Sequence, residues 1–240
     1  MADEKIVDEI RWGKNNHMHC WNLRGANLSY ADLSYSELRS DFSGAELEGI
    51  DFLGVKLGTA DLRGVKLDGA EFSGADLRGT TEFSGADLKH AKFSVSNLKG
   101  ADLHQAYLKG ADLRGACFTG ADLHQANLKG ADLRGAKLDG ADLRWGGLLG
   151  AELKGADLSG ANVSGANLRG TGLSDADLSG ADLSRTDLSG ADLSGAKLDG
   201  ADLSDPQNYT NMPTKLIESQ NDQAKVTTNK KGGALPKGFE

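Results

Sequence analysis

Two consecutive stretches, ADLHQAYLKGADLRGACFTG at residues 101–120 and ADLHQANLKGADLRGAKLDG at 121–140, agree at 16 of 20 positions, and each is built from units of five. With the Leu or Phe of each unit as its centre, the pattern runs through 37 units from Leu23 to Leu203. It slips twice: one residue is dropped between Leu38 and Phe42, and one is added near Thr80 and Thr81. A five-residue period matches neither the roughly 3.6 residues of a helical turn nor the unbroken alternation of a long strand. Within ADLRG, however, Ala and Leu stand two apart, and residues two apart on an extended chain point the same way. Both therefore face a core while Asp and Arg face water. Gly closes the unit, where the chain must bend through backbone angles that other residues resist.

If each corner turns the chain by about a right angle, four units close a square and residue i+20 lies about 4.8 Å from residue i, one strand spacing. The twenty-residue similarity then records stacked neighbours in identical surroundings. This predicts an all-β fold, a parallel four-sided β-helix of about nine coils and about 44 Å, wound right-handed because parallel crossovers favour that hand. The domain reading is a cap at 1–20, a solenoid at 21–205, and a C-terminal cap and largely flexible tail at 206–240. Ile6, Val7 and Ile10 fall on one stripe of a predicted short capping helix. After Pro206 the chain is polar, with Tyr209, Met212, Leu216 and Ile217 as anchors and disorder expected from about residue 219. Inside the rod, Phe52, Phe72 and Phe93 fall on one face of successive coils and should stack as a ladder, with Phe42 and Phe83 on another face. Ile50, Val55 and Val65 replace the usual inward Ala and fill a slightly wider early core.

The repeated A-(D/N)-L-x-G resembles the pentapeptide-repeat family, whose members form a right-handed four-sided β-helix. The resemblance covers residues 21–205, about three quarters of the chain, and implies a bacterial cytoplasm, that of cyanobacteria included. Fold does not by itself carry function, and the family hosts few assigned activities. Some members resemble a DNA duplex in size, shape and charge and bind type II topoisomerases, inhibiting them or protecting them from drugs. Those members carry a multi-residue loop between coils and an apolar dimerising helix at the tail, and neither pattern is evident in this sequence.

Charge narrows the partners. The chain carries a net −8, and residues 21–205 hold 28 acids against 19 Lys and Arg. A phosphate backbone is bound by clustered cations, so no direct nucleic-acid binding is expected, and a basic protein surface is the better complement. Cys20 and Cys117 lie far apart and match no metal or redox spacing, which suits a reducing cytoplasm. The longest apolar runs are a few residues, far short of the roughly 20 that span a bilayer. No cofactor and no metal is expected, and the oligomeric state is left open.

Sorting outward residues by side gives the candidate site. On one side the residue before each centre reads Asn22, Asp41, Asp61, Glu82, Asp102, Asp122, Asp142, then Asn162, Asp182 and Asp202: a stacked acidic column. A second column, Asp32, Asp51, Glu71, Lys92, Asp112, Asp132, Glu152, Gly172 and Asp192, is acidic but interrupted. Asp and Asn here can bond neighbouring backbone in the turn, which is a structural reason for them; Glu does so less well, and Lys56, Lys137 and Lys197 hold the same place on another side. In LRWGGLLGAEL, residues 143–153, Trp145 takes a Gly place and Leu149 a place usually Arg, Lys or Ser, so both are candidate apolar contacts for a partner protein. Tyr30 and Tyr35 form a second small patch. His104 and His124, two residues after Asp102 and Asp122, are read as solvated side chains duplicated with their coil, since a flat side offers no cleft for catalysis. The sequence therefore reads as a non-enzymatic solenoid acting as a protein-interaction or structural scaffold through its charged faces; the alternative is a DNA-mimicking binder of a type II topoisomerase through the acidic column.

Overall fold

Each five-residue unit is too short to form a strand of its own, so its cohesion comes from the coils above and below. The computed structural model describes residues 17–23, 27–29, 33–34, 37–42, 45–57, 60–78 and 81–204. Strand β1 (His17–Asn22) pairs in parallel with β2 (Glu37–Asp41), His17 opposite Glu37 and Asn22 opposite Asp41. This pairing carries the coil register back to His17, within the segment assigned to the cap. Downstream, one residue of each side pairs with its equivalent in the next coil, Asp102 with Asp122, Tyr107 with Asn127, Asp112 with Asp132 and Cys117 with Lys137. Four pairing columns per twenty residues make the solenoid four-sided. The two sequence slips appear as changes of offset: Asn27 pairs with Glu46, and Asp61 with Glu82, after which Glu82 pairs with Asp102. The predicted cap helix, Tyr30, Tyr35 and the tail anchors lie outside the described residues.

The ADLRG unit at 131–135 accounts for all five of its backbone N–H groups. Asp132 donates to Ala111 O (3.0 Å) in the preceding coil, while Leu133 donates to Glu152 O (2.7 Å) and Gly135 to Lys154 O (3.0 Å) in the following one. Ala131 N–H closes the turn onto Leu128 O (3.0 Å). The fifth, on Arg134, has no backbone carbonyl and donates to the Asp132 carboxylate, 3.2 Å from Oδ1. The same bond recurs at Asp51, Asp102, Asp122, Asp157, Asp182 and Asp202, and Asn97, Asn127, Asn162 and Asn167 make it with their amide oxygens. Glu71 makes it too, to Ser73 N–H at 3.0 Å, so the longer side chain is accommodated at this place.

Inward, the centre Leu or Phe and the preceding Ala are buried in coil after coil. The Phe52, Phe72 and Phe93 rings stack at 4.9 and 4.7 Å, and Phe42 and Phe83 meet that ladder edge-on at 84–87°. Ile50, Val55 and Val65 are buried in the Ala place beside it. Where Thr or Ser occupies that place, the hydroxyl must be satisfied: Thr81 donates to Leu57 O, Ser96 to Phe93 O, Thr171 to Leu168 O and Thr186 to Leu183 O, each at 2.7 Å. Corners sit in the left-handed region, Gly115 at φ +63° for example, where a Cβ is costly.

Several turn carboxylates titrate low. At Asp177 the Ser179 hydroxyl and N–H and the Lys197 ammonium, 3.0 Å away, hold the carboxyl at about 2, from an ordinary 3.8. Side-chain bonds from Arg78, Arg114 and Arg134 likewise hold Asp76, Asp112 and Asp132 below the usual range, against the opposing effect of burial.

Leu113→Asp buries an unpaired charge in the core and should cost about 3 kcal/mol or more in thermal or urea unfolding. Asp182→Asn, which keeps the turn acceptor, should change stability by no more than a few tenths of a kcal/mol, whereas Asp182→Ala should cost about 1 kcal/mol. Because the folded carboxyls titrate below their unfolded values, their stabilisation is fully present above about pH 4 and is lost as pH falls towards about 2. Melting temperature should accordingly fall over that window, and Asp177→Asn should shrink the fall.

Candidate functional site

The four sides differ in what they present outward. Side 1 carries the acidic column, continuous from Asp61 through Glu82, Asp102, Asp122, Asp142, Asn162 and Asp182 to Asp202 by successive pairings. Asp41 joins it at the end of β2, where Phe42 N–H reaches Asp61 O at 3.1 Å. The stacking read from the sequence is thus present, but the charge is uneven. Arg63 clasps Asp61 at 2.6 Å and reaches Glu82 at 3.0 Å, and Arg144 clasps Asp142 at 2.6 Å. Burial raises the Asp142 carboxyl, yet the Arg144 bonds outweigh it and leave it below the ordinary value. Among the described residues, no cation lies within 4.0 Å of Asp102, Asp122, Asp182 or Asp202. Each of these commits Oδ1 to its turn.

The imidazoles of His104 and His124 stack beside this column, centroids 5.1 Å apart and planes 8° from parallel. The His124 Nδ1 is buried without a hydrogen-bond partner. Among the described residues no group of three or more His, Cys, Asp or Glu side chains is arranged to hold a metal. Side 3 is largely self-neutralised: Arg114 and Arg134 clasp Asp112 and Asp132 at 2.6 Å, and Arg114 also reaches Asp132 at 3.7 Å. On side 4, Lys197 pairs with Asp177.

Side 2 lies across a corner from side 1 and was not singled out in the sequence. Its column before the centre runs Asp87, Tyr107, Asn127, Gly147, Asn167 and Asp187. Its column after the centre runs Lys89, Lys109, Lys129, Leu149 and Arg169, stacked through bonds such as Gly110 N–H to Lys129 O (3.0 Å) and Gly130 N–H to Leu149 O (3.1 Å). Sorting by the residue before the centre hid this row; sorting by the residue after it would have found it. Leu149 is 37% exposed and Tyr107 50% exposed, with the Lys89 ammonium 5.9 Å from the Tyr107 ring centroid.

Trp145 stands at the corner between sides 1 and 2, 57% exposed at φ +57°. Its indole lies over Gly165, where an added Cβ would fall 2.5 Å from ring carbon Cε3. Trp145 and Leu149 therefore both point outward beside this edge, as the pattern indicated. Among the described residues seven non-Gly residues hold left-handed corners, and four of them, Gln105, Gln125, Trp145 and Arg185, lie along this one edge. The Gln105 and Gln125 amides are bonded at 2.8 Å. Val95, at another corner, is 74% exposed at φ +57°, and nothing in the structure explains it.

Among the described residues, no helix is long and apolar enough to cross a membrane. No curated protein matches the chain. Among solved structures, HetL from the cyanobacterium Nostoc sp. strain PCC 7120, a pentapeptide repeat protein involved in heterocyst differentiation regulation, is similar at 31% identity. That match covers 84% of this chain and 94% of HetL, with a TM-score of 0.54. QnrB1, a plasmid-mediated fluoroquinolone resistance protein, is 25% identical over 88% of this chain and 100% of its own, with a TM-score of 0.47. The model of pentapeptide repeats matches in eight copies across residues 40–79, 81–120, 116–146, 148–171 and 166–205. A β-solenoid of stacked five-residue sides and this match over most of its length agree: the chain belongs to the pentapeptide-repeat family.

Proposed function

We propose that this repeat solenoid is a non-catalytic scaffold that binds a protein partner through its charged sides, with the side 1 column addressing a basic surface. One observation carries the reading. The turn does not need a charge, because Asn162 caps its turn with an amide oxygen as Asp182 does with a carboxylate. The negative charge at Asp102, Asp122, Asp182 and Asp202 therefore exceeds what the fold requires, and it stands where a partner's Lys and Arg can reach it. HetL, similar over most of both chains, is involved in regulating a differentiation process, a task that suits a binding protein. The reading of a duplex mimic for a type II topoisomerase has no observation of its own in its favour, since Asn162 interrupts the column and Arg63 and Arg144 neutralise part of it.

The test removes charge and leaves the turns intact. Asp102→Asn, Asp122→Asn and Asp182→Asn together should keep the melting temperature near that of the parent and weaken binding of labelled poly-L-lysine about tenfold. The same three-charge change spread over other sides, at Asp157, Asp187 and Asp192, should weaken it much less. Equal losses in the two variants would show that net charge acts and the column does not. Inhibition or drug protection in a gyrase supercoiling assay, abolished by the side 1 variant, would instead establish topoisomerase binding.

A further inference from the structure

We infer that side 2, with the edge it shares with side 1, is a second docking surface whose occupant is a carboxylate-rich protein segment bearing an apolar anchor. This deepens the scaffold reading and rests on it. Between Asp87 and Asp187 every outward place on side 2 is basic or neutral, in a chain that carries a net −8. Among the described residues neither Lys109 nor Lys129 has a carboxylate within 4.0 Å, although acidic residues are plentiful on the other sides. Arg169 continues the row beyond Leu149, with the Asp187 carboxylate 3.9 Å away. A row of cations one coil apart, about 4.8 Å, suits a segment presenting several carboxylates along the rod.

The apolar component lies in the same place. Trp145 and Leu149 flank Gly147, where the column loses its side chain between Asn127 and Asn167. A partner's Leu or aromatic side chain can seat there against the indole, with cations on either side of it. Aromatic residues and Arg are the side chains that most often anchor protein interfaces.

The backbone supplies an independent argument. Gln105, Gln125, Trp145 and Arg185 occupy corner positions at φ +56° to +59° where most corners have glycine. Each holds a conformation unfavourable to a side chain, and the four are gathered on the edge bordering side 2. Strain of this kind persists where a side chain is required for something other than folding. A segment with an apolar residue among its carboxylates can keep its charges over side 2 and turn only the apolar side chain to the edge, whereas a nucleic acid carries a phosphate at every nucleotide and brings charge against the side 1 column at the edge itself.

The probe is a fluorescein-labelled peptide of repeated Glu-Glu-Leu, titrated by anisotropy with the full chain. Binding should weaken as salt rises and fall about tenfold or more in Lys109→Glu with Lys129→Glu. It should fall similarly in Trp145→Gly, which relieves the corner and should leave the melting temperature unchanged or raised, so that misfolding is not the cause. Lys137→Glu with Lys154→Glu makes the same change in net charge on sides 3 and 4 and should leave binding near the parent value. The proposal is overturned by absence of binding, by equal loss in the two double variants, or by tighter binding of a single-stranded RNA than of the peptide. Failure here leaves the poly-L-lysine result on side 1 standing, and the reverse also holds, so the two readings fail separately.

Discussion

Everything in this molecule depends on closing the hydrogen-bond account of a side only five residues long. Three N–H groups per unit reach adjacent coils, one folds back across the corner, and one is left over. Buried or confined backbone donors must be paired, and no carbonyl is placed to accept the fifth. On many sides the acceptor is supplied instead by a side chain two residues back, which is why Asp or Asn recurs before the centre; Tyr107, Cys117, Lys137 and Gly147 stand at the same place and offer no carboxylate or amide oxygen. A backbone requirement thereby writes a chemical pattern on the surface. Its by-product is negative charge along every side on which Asp is chosen over Asn.

That origin changes how the surface is to be read. An acidic column is expected from the turn chemistry, so its existence is weak evidence of a partner. Evidence lies in the difference between what the turn needs and what is present. On side 3 Arg114 and Arg134 return most of the charge to neutrality, and such exposed pairs contribute little to stability. At Asp102 and Asp122 the flanking residues are His104 and His124, which stack on one another, and no cation among the described residues lies within 4.0 Å of either carboxylate. The same logic applies to corners: glycine is the residue the geometry asks for, so Gln105, Gln125 and Trp145 mark departures from it.

The architecture was legible because the two periodicities are physical. Five is one side and twenty is one circuit, and with them come the coil partners, the Phe52, Phe72 and Phe93 ladder with Phe42 and Phe83 edge-on, and the outward positions of Trp145 and Leu149. Offsets of 19 and 21 at the two slips follow directly from counting residues between Asn27 and Glu46 and between Asp61 and Glu82. Less legible was whatever depends on two residues outside the repeat's own logic. That Glu71 reaches its turn N–H, that Arg63 and Arg144 neutralise parts of side 1, and that Trp145 lies across Gly165 are matters of side-chain reach, which a repeat pattern does not encode. The basic row at Lys109 and Lys129 was encoded, but in the residue after the centre, where no backbone requirement draws attention to it.

Sides 1 and 2 therefore stand in a specific relation. They carry opposite charge, meet at one edge, and that edge gathers four of the seven non-Gly left-handed corners found among the described residues. A fold built on identical units makes its four sides equivalent by default, and each inward position is held to an apolar or small residue by the same core. Divergence between sides is confined to outward positions, where a substitution costs the fold little unless it removes the turn acceptor or places a Cβ at a corner. Side 2 does both: Tyr107 and Gly147 replace the acceptor, and Gln105, Gln125 and Trp145 occupy corners. Loss of the turn acceptor is spread over several sides, at Lys92 and Gly172 on side 3 and at Cys117 and Lys137 on side 4 as well, but among the described residues four of the seven side chains held at left-handed corners stand on this one edge. Folding alone would spread them evenly over four equivalent edges, so recognition is the better physical account of their placement.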